Sequence, residues 1–399
     1  MATPLPQEWS RGALERAVPK VQERIVARSE LWPIFVGLGC ATVMQISLLW
    51  DFSWHTTIGR DTFWTPAHIG LYAGGGIPGL VYGALVLHTT WFGSPAARGR
   101  SVRFWGFRAP LGAWVAIWGS IAMLTAAPFD QWWHFSYGID VRIISPPHIL
   151  LLVGVTATHV GVLLLAAAAT NRSSGREAKT AASLKCYGAG MLLLMAGLFG
   201  MEATYPTYMH GPMFYLFVAA SFPIWLVATG GAGLAWPATT AALSYTALRL
   251  FMTWVLPLFP AIPRIGPIHF YPTHMVPPGF PLLLIAPALA LDLIARRSET
   301  VDVRLRSLLL GCTFFVAFLA VQWPFANFLM SPWARNWVFA ADNFRFDLLP
   351  NSFTAHYRFL PWRDPRVPTW LAILAAAPVA VASAQLGLWL RAFLGRIQR

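Results

Sequence analysis

Residues 50–68 read WDFSWHTTIGRDTFWTPAH. Two aspartates, two histidines and an arginine crowd into this stretch directly after an apolar run, in a chain that otherwise avoids charge. A surface loop tolerates such a composition, and so does a site built where a helix leaves a membrane. The surrounding sequence bears on which of the two this is.

Of the 399 residues, 56% are hydrophobic and 11% are charged, against roughly 25% charge in an ordinary soluble chain. Apolar windows of about 20 residues, the length that crosses a bilayer, recur from residue 31 to the C-terminus. We expect ten spans, near 31–51, 67–91, 109–130, 147–169, 184–203, 212–236, 240–262, 279–295, 305–329 and 368–392. The span at 240–262 is the least regular, since Arg249 lies inside it and Pro237 leaves only a short turn before it. Continuous apolar runs instead of alternation exclude a β-barrel. The expected fold is therefore all-α, a polytopic integral membrane protein of about ten transmembrane helices. Three regions follow: an N-terminal segment at 1–30, four helices at 31–169, and the remaining helices at 170–399 with a long outer loop at 330–367.

Most of the 29 lysines and arginines fall on one side of these spans. They lie in the N-terminal segment, around 98–108 and 172–185, at Arg249, around 296–306, and at the C-terminus. The positive-inside rule makes that side cytoplasmic, places both termini there, and puts the protein in the inner cell membrane. The pI near 10.3 thus reflects topology and attraction to anionic lipid, not a nucleic-acid surface. Residues 1–30 lack the apolar core of a cleavable signal peptide. Leu14, Val18, Val21 and Ile25 form a helical stripe there, interrupted by Pro19, as expected of a helix lying on the inner leaflet. Cys40, Cys186 and Cys312 sit in or beside apolar spans and offer neither a disulfide framework nor a Cys-based zinc site.

The opening stretch has a copy. Residues 129–148 read FDQWWHFSYGIDVRIISPPH, and Asp51, Trp54, His55, Gly59, Asp61, Pro66 and His68 match Asp130, Trp133, His134, Gly138, Asp140, Pro146 and His148. Each copy closes one span and opens the next, so the first four spans form a duplicated helical hairpin. Asp and His four residues apart share a helix face. Gly permits a reversal, Pro suits the first turn of the next helix, and the last His falls in that turn. Asp51, His55 and His68, and likewise Asp130, His134 and His148, are thereby aimed at one point each. Two imidazoles and a carboxylate form a three-ligand set for a divalent transition metal, with a position left open. Interfacial anchoring is the competing reading, but it requires neither the spacing nor the aspartate. Asp61 and Asp140 are expected either to orient an imidazole as outer acceptors or to cap the next helix.

The spacing Asp-x3-His-x12-His in the first copy, and x3, x13 in the second, resembles the C subunit of the copper membrane monooxygenases, the particulate methane and ammonia monooxygenases. The resemblance covers about residues 50–148. It implies one copper site at Asp51, His55 and His68 and a second at Asp130, His134 and His148, where the family carries Asn in place of Asp130. It also implies oxidative chemistry on dioxygen, with hydrocarbon or ammonia as possible substrates and with partner subunits. Without a soluble electron-transfer domain, a donor such as a membrane quinol is expected. Iron and zinc are the alternatives to copper.

Further ligand types lie on the same outer face: Glu202, Tyr205, Tyr208, Met209 and His210, then His269, Tyr271, His274 and Met275, then Asp342, Asp347 and His356 in the long loop. Glu202, His210, His269 and His274 are possible additional ligands, each weighed against a role in packing or at the interface. His159, mid-span, is expected to be a hydrogen-bonded packing residue, and His88 lies apart from the outer set. Three functions compete. One is a membrane metalloenzyme, copper-dependent and oxidative. The second is a metal transporter or metallochaperone, which should carry ionisable groups or broken helices at the midplane. The third is a metal-free structural subunit in which His pairs with Asp.

Overall fold

A computed structural model describes residues 11–138, 145–200, 206–231, 233–265, 269–345 and 369–398, with 11–30 described by backbone alone. The chain is all-α, and among the described residues 8 helices are long and apolar enough to cross a membrane. Helix α1 runs Arg11–Thr57 with its apolar part at Leu31–Thr57, and α2 runs Pro66–Trp91. A short connection follows, made of α3 (Pro95–Gly99) and a two-stranded hairpin, β1 (Val102–Phe104) and β2 (Phe107–Ala109). Helices α4 (Leu111–Tyr137), α5 (Pro146–Arg172) and α6 (Gly175–Phe199) complete the first half.

The second half is less regular. The expected span at 212–236 is two short helices, α7 (Pro212–Ser221) and α8 (Pro223–Ala228), because Pro223 has no N–H to continue the ladder. Helix α9 covers Pro237–Val255, and a 3-10 turn carries it to Leu258. The expected span at 279–295 begins with non-helical backbone up to Leu284, and only then comes α10 (Ile285–Arg297). Pro277, Pro278 and Pro281 forbid helix at its start. Helices α11 (Val303–Leu329) and α12 (Thr369–Arg396) close the bundle.

Non-helical backbone among membrane helices needs partners from the protein itself, and each of the following comes from a side chain. Tyr245 Oη accepts from Leu282 N at 3.2 Å and Gln322 Oε1 from Leu283 N at 3.0 Å. Arg249 Nε donates to Gly279 O at 3.1 Å, and Thr253 Oγ1 to Pro278 O at 3.2 Å. Arg249, grouped above with the basic side, is thus buried inside the bundle. The start of α9 is capped from α10, where Asp292 accepts from Ala238 N at 3.1 Å and Thr239 N at 2.9 Å.

Helices α4 and α5 approach most intimately where glycines face each other. A Cβ on Gly119 would stand 2.6 Å from Gly154 O, and one on Gly154 would stand 2.8 Å from Gly119 O. Gly112 and Gly161 oppose each other in the same reciprocal way. Such small-residue contacts let membrane helices pack backbone to backbone, and they hold Asp130 and His148 on facing helices. Methionines fill the rest: Met123 packs on Gly75 and Gly154, and Met44 on Gly74. Replacing Gly119 with Leu is therefore expected to lower the thermal unfolding midpoint in detergent, by the equivalent of about 1–3 kcal/mol or more of overpacking. An unchanged midpoint would show that the helices do not meet there.

Candidate metal centre

The two copies of the hairpin end alike. Trp54 O accepts from Ile58 N at 2.8 Å and Gly59 N at 3.1 Å, and Gly59 adopts φ +80. Gly138 likewise donates to His134 O at 3.0 Å with φ +89. Both lie in the left-handed region that favours glycine. Pro66 and Pro146 each open the following helix at its first turn. Asp51 and His55 thus occupy the last turns of α1, His68 the first turn of α2, and Asp130, His134 and His148 the equivalent places on α4 and α5.

In the first copy four side chains converge. The ligand atoms of Asp51, His55, Asp61 and His68 all lie within 4.8 Å of one another, the one such group among the described residues. His55 Nε2 stands 3.7 Å from Asp51 Oδ2 and 3.5 Å from Asp61 Oδ2. His68 Nε2 stands 3.0 Å from Asp51 Oδ1 and 3.3 Å from Asp61 Oδ2. Around a tetrahedral ion with bonds of about 2.0–2.2 Å, donor atoms stand roughly 3.3–3.6 Å apart, so these separations suit one small cation. The side chain of His55 is 45% exposed while the other three are 16–22%, leaving the group open on the His55 side.

Its electrostatics require positive charge. His68 Nδ1 lies 2.9 Å from Thr62 O, and a carbonyl only accepts, so Nδ1 carries the proton. In the neutral ring Nε2 is then a bare lone pair facing two carboxylate oxygens. That confrontation is repulsive unless a proton on Nε2 or a cation among the four groups relieves it. The imidazole tautomer fixed by Thr62 is the one a metal ligand needs.

Asp61 joins the group itself. The turn before α2 is held instead by Thr62 and Thr65, with Thr62 N donating to Thr65 Oγ1 at 2.8 Å and Thr65 N to Thr62 O at 2.9 Å. Asp61 therefore caps nothing and faces both imidazoles. Its recurrence as Asp140 in the second copy was the signal in the sequence for a fourth member.

The second set is partly assembled: Asp130 Oδ1 lies 3.8 Å from His134 Nε2 and 3.5 Å from His148 Nε2. Asp140 lies outside the described residues, as do Glu202, Tyr205, Asp347 and His356. The two sets are neighbours. His148 is within electrostatic reach of Asp51, and Tyr72, one turn along α2 from His68, is within reach of Asp51, Asp61 and Asp130.

None of the later candidates that are described joins the Asp51 group. His210 stacks on Trp323 with ring centroids 3.8 Å apart, and its Nε2 lies 3.1 Å from Asn327 Oδ1. Burial holds its imidazole below the ordinary value. Met209 is buried, and Gln322 Nε2 donates to its sulfur at 3.4 Å. His269 and His274 are exposed, and His274 Nδ1 lies 2.9 Å from Thr273 Oγ1. His159 is buried, with Nδ1 at 2.7 Å from Val155 O and Nε2 at 3.1 Å from Gln45 Nε2, the packing role expected of it.

The sequence matches no family model and has no significant match among curated proteins or among solved structures. The geometry of the group is thus the ground for a functional reading. A divalent cation at a hundredfold excess over its Kd is expected to stabilise the wild type by about 2.7 kcal/mol. Asp51→Asn should lose most of that gain. Equal stabilisation of both proteins in a thermal melt would place the cation elsewhere.

Proposed function

We propose that this chain is an integral membrane metalloprotein in which Asp51, His55, Asp61 and His68 bind a divalent transition metal at one membrane interface. The observation that carries the reading is the convergence of two carboxylates and two imidazoles whose ligand atoms all lie within 4.8 Å of one another. Two carboxylates and two neutral imidazoles sum to two negative charges, which a divalent ion balances. Mixed imidazole and carboxylate donors suit copper, iron and zinc. The resemblance to the C subunit of the copper membrane monooxygenases favours copper, with Asp130, His134 and His148 as a second site. A bound copper ion would supply oxidative chemistry on dioxygen, and electrons would come from a membrane quinol or a partner subunit.

In this reading the chain's own residues do three things. Thr62 O fixes the tautomer of His68. The exposed edge of His55 leaves a way in for a small substrate. The aromatic wall of Phe63, Trp64 and Tyr72, with Phe63 at 4.9 and 5.1 Å centroid distance from its two neighbours, limits water beside it. The basic ends of the helices favour the opposite face as cytoplasmic, which puts the metal group on the outer face of the inner membrane.

The break between α7 and α8 and the short α10 favour one other reading, metal transport, since transporters use broken helices. The polar groups around the second break are engaged with backbone, however: Asp292 with the start of α9, and Arg249 with Gly279. Metal analysis of the protein purified in native-like lipid tests the main reading. The wild type is expected to hold about two equivalents, with His55→Ala/His68→Ala and His134→Ala/His148→Ala each removing about one. Copper with quinol-dependent oxygen uptake that falls with the first pair supports the oxidative function, and metal uptake into sealed vesicles supports transport. A wild type that stays metal-free after supplementation rules out the metalloprotein.

A further inference from the structure

At the end of α2 away from His68, the chain carries arginines and aromatic rings that the metal group does not use. Arg98, Arg100, Arg103 and Arg108 fall within residues 98–108, and no Asp or Glu occurs between Asp61 and Asp130. The β1–β2 hairpin among them is short but fastened on both sides. Thr90 Oγ1 on α2 accepts from Arg108 N at 2.8 Å, and Trp114 Nε1 on α4 donates to Val102 O at 3.3 Å.

The register of the hairpin sets Arg103 directly against Arg108 and Phe104 against Phe107. Successive residues of a strand face opposite ways, so the ribbon has one arginine face and one aromatic face. On the aromatic face, Phe104 meets Trp114 and Trp118 of α4 at centroid distances of 5.5 and 6.3 Å. Trp118 lies about two turns along α4 and is 48% exposed, so the ribbon rests against the outer surface of a membrane-spanning helix. Trp105 at the tip is 81% exposed.

Two features oppose this hairpin on its own. Like charges directly across a strand pair repel. Arg103 has no acceptor among the described residues, and the Arg108 guanidinium is engaged there only through Nη1, with Arg98 O at 3.2 Å. The turn also holds Trp105 at φ +47 before Gly106 at φ +87, a pattern in which Asn-Gly is the unstrained pair and a bulky aromatic is an outlier. An anion between the arginines offsets their repulsion, and an apolar boundary around the indole supplies a contact that Asn would not make. A phospholipid at the end of a membrane helix offers both.

We propose that the hairpin is a binding site for one anionic phospholipid, whose phosphate lies between Arg103 and Arg108 and whose glycerol and upper acyl region cover Trp105. Arginine forks suit phosphate oxygens, and indole rings favour the boundary between headgroups and hydrocarbon. The site shares no residue with the metal group, so neither reading depends on the other.

Native mass spectrometry of the full chain in detergent, titrated with phosphatidylglycerol or phosphatidylcholine, tests the proposal. The wild type should retain one phosphatidylglycerol at a lipid concentration about tenfold lower than it needs for phosphatidylcholine, the scale of one charge-assisted hydrogen bond. Arg103→Gln should remove that preference. Arg103→Glu should remove it too, yet it sets an opposite charge against Arg108, so the thermal unfolding midpoint should hold or rise; this separates lost lipid from lost structure. Trp105→Asn, which suits the turn, should weaken retention of both lipids with the midpoint held or raised. Arg304→Gln, at an exposed arginine near the start of α11, should leave the preference as it is. Equal retention of the two lipids by the wild type, a preference that survives Arg103→Glu, or an equal loss in Arg304→Gln would each overturn the proposal. So would a dimer that Trp105→Asn dissolves, since the surface would then belong to a second copy.

Discussion

Inside a bilayer no water reaches the backbone, and every N–H or C=O outside a helix must be met by another group of the protein. The two halves of this chain meet that constraint differently. The first half keeps its spans as unbroken helices, whose hydrogen bonds are internal. The second half, rich in proline, leaves backbone bare between α9 and α10 and covers it with Tyr245, Arg249, Thr253 and Gln322. Polar side chains there are consumed by structure. At the helix ends of the first half, Asp51, His55, Asp61 and His68 are turned toward one another instead.

Rigid helices make a ligand group reproducible. The last turns of α1 carry Asp51 and His55 on one face, and α2 begins only seven residues after Gly59 makes the reversal possible, with His68 two residues further in. The loop between them is short enough that Thr62 and Thr65 pin it, and this is what turns Asp61 inward. The group therefore holds two carboxylates and two imidazoles with their ligand atoms within 4.8 Å of one another. The α4–α5 copy repeats the ligand plan on a tighter helix pair, where glycine faces glycine.

Much of this was legible in residue order. Apolar runs located the membrane helices, and the repeated Asp, His, Gly, Pro and His placed both groups at equivalent helix ends. Two spans came out shorter than the apolar count suggested, because hydropathy does not register that Pro223, Pro277, Pro278 and Pro281 lack the N–H a helix needs. Arg249 was grouped with the basic side from its charge, whereas its acceptor, Gly279 O, lies 30 positions away. Asp61 was recognisable as repeated but not as a fourth member of the group, because its direction depends on which neighbour holds the turn.

The ligand-bearing end of α1 is fastened from far along the chain. Ser53 Oγ donates to Val276 O at 2.6 Å, and Thr57 Oγ1 accepts from Val276 N at 2.8 Å, contacts that join residues 223 and 219 positions apart. Arg264 N adds a bond to Ile58 O at 2.9 Å. During synthesis, then, α1 and α2 enter the membrane long before the strap that secures the turn between Asp51 and His55 exists. Completion of the group is a late event in biogenesis, and truncation before residue 276 leaves that turn held only by its own helix.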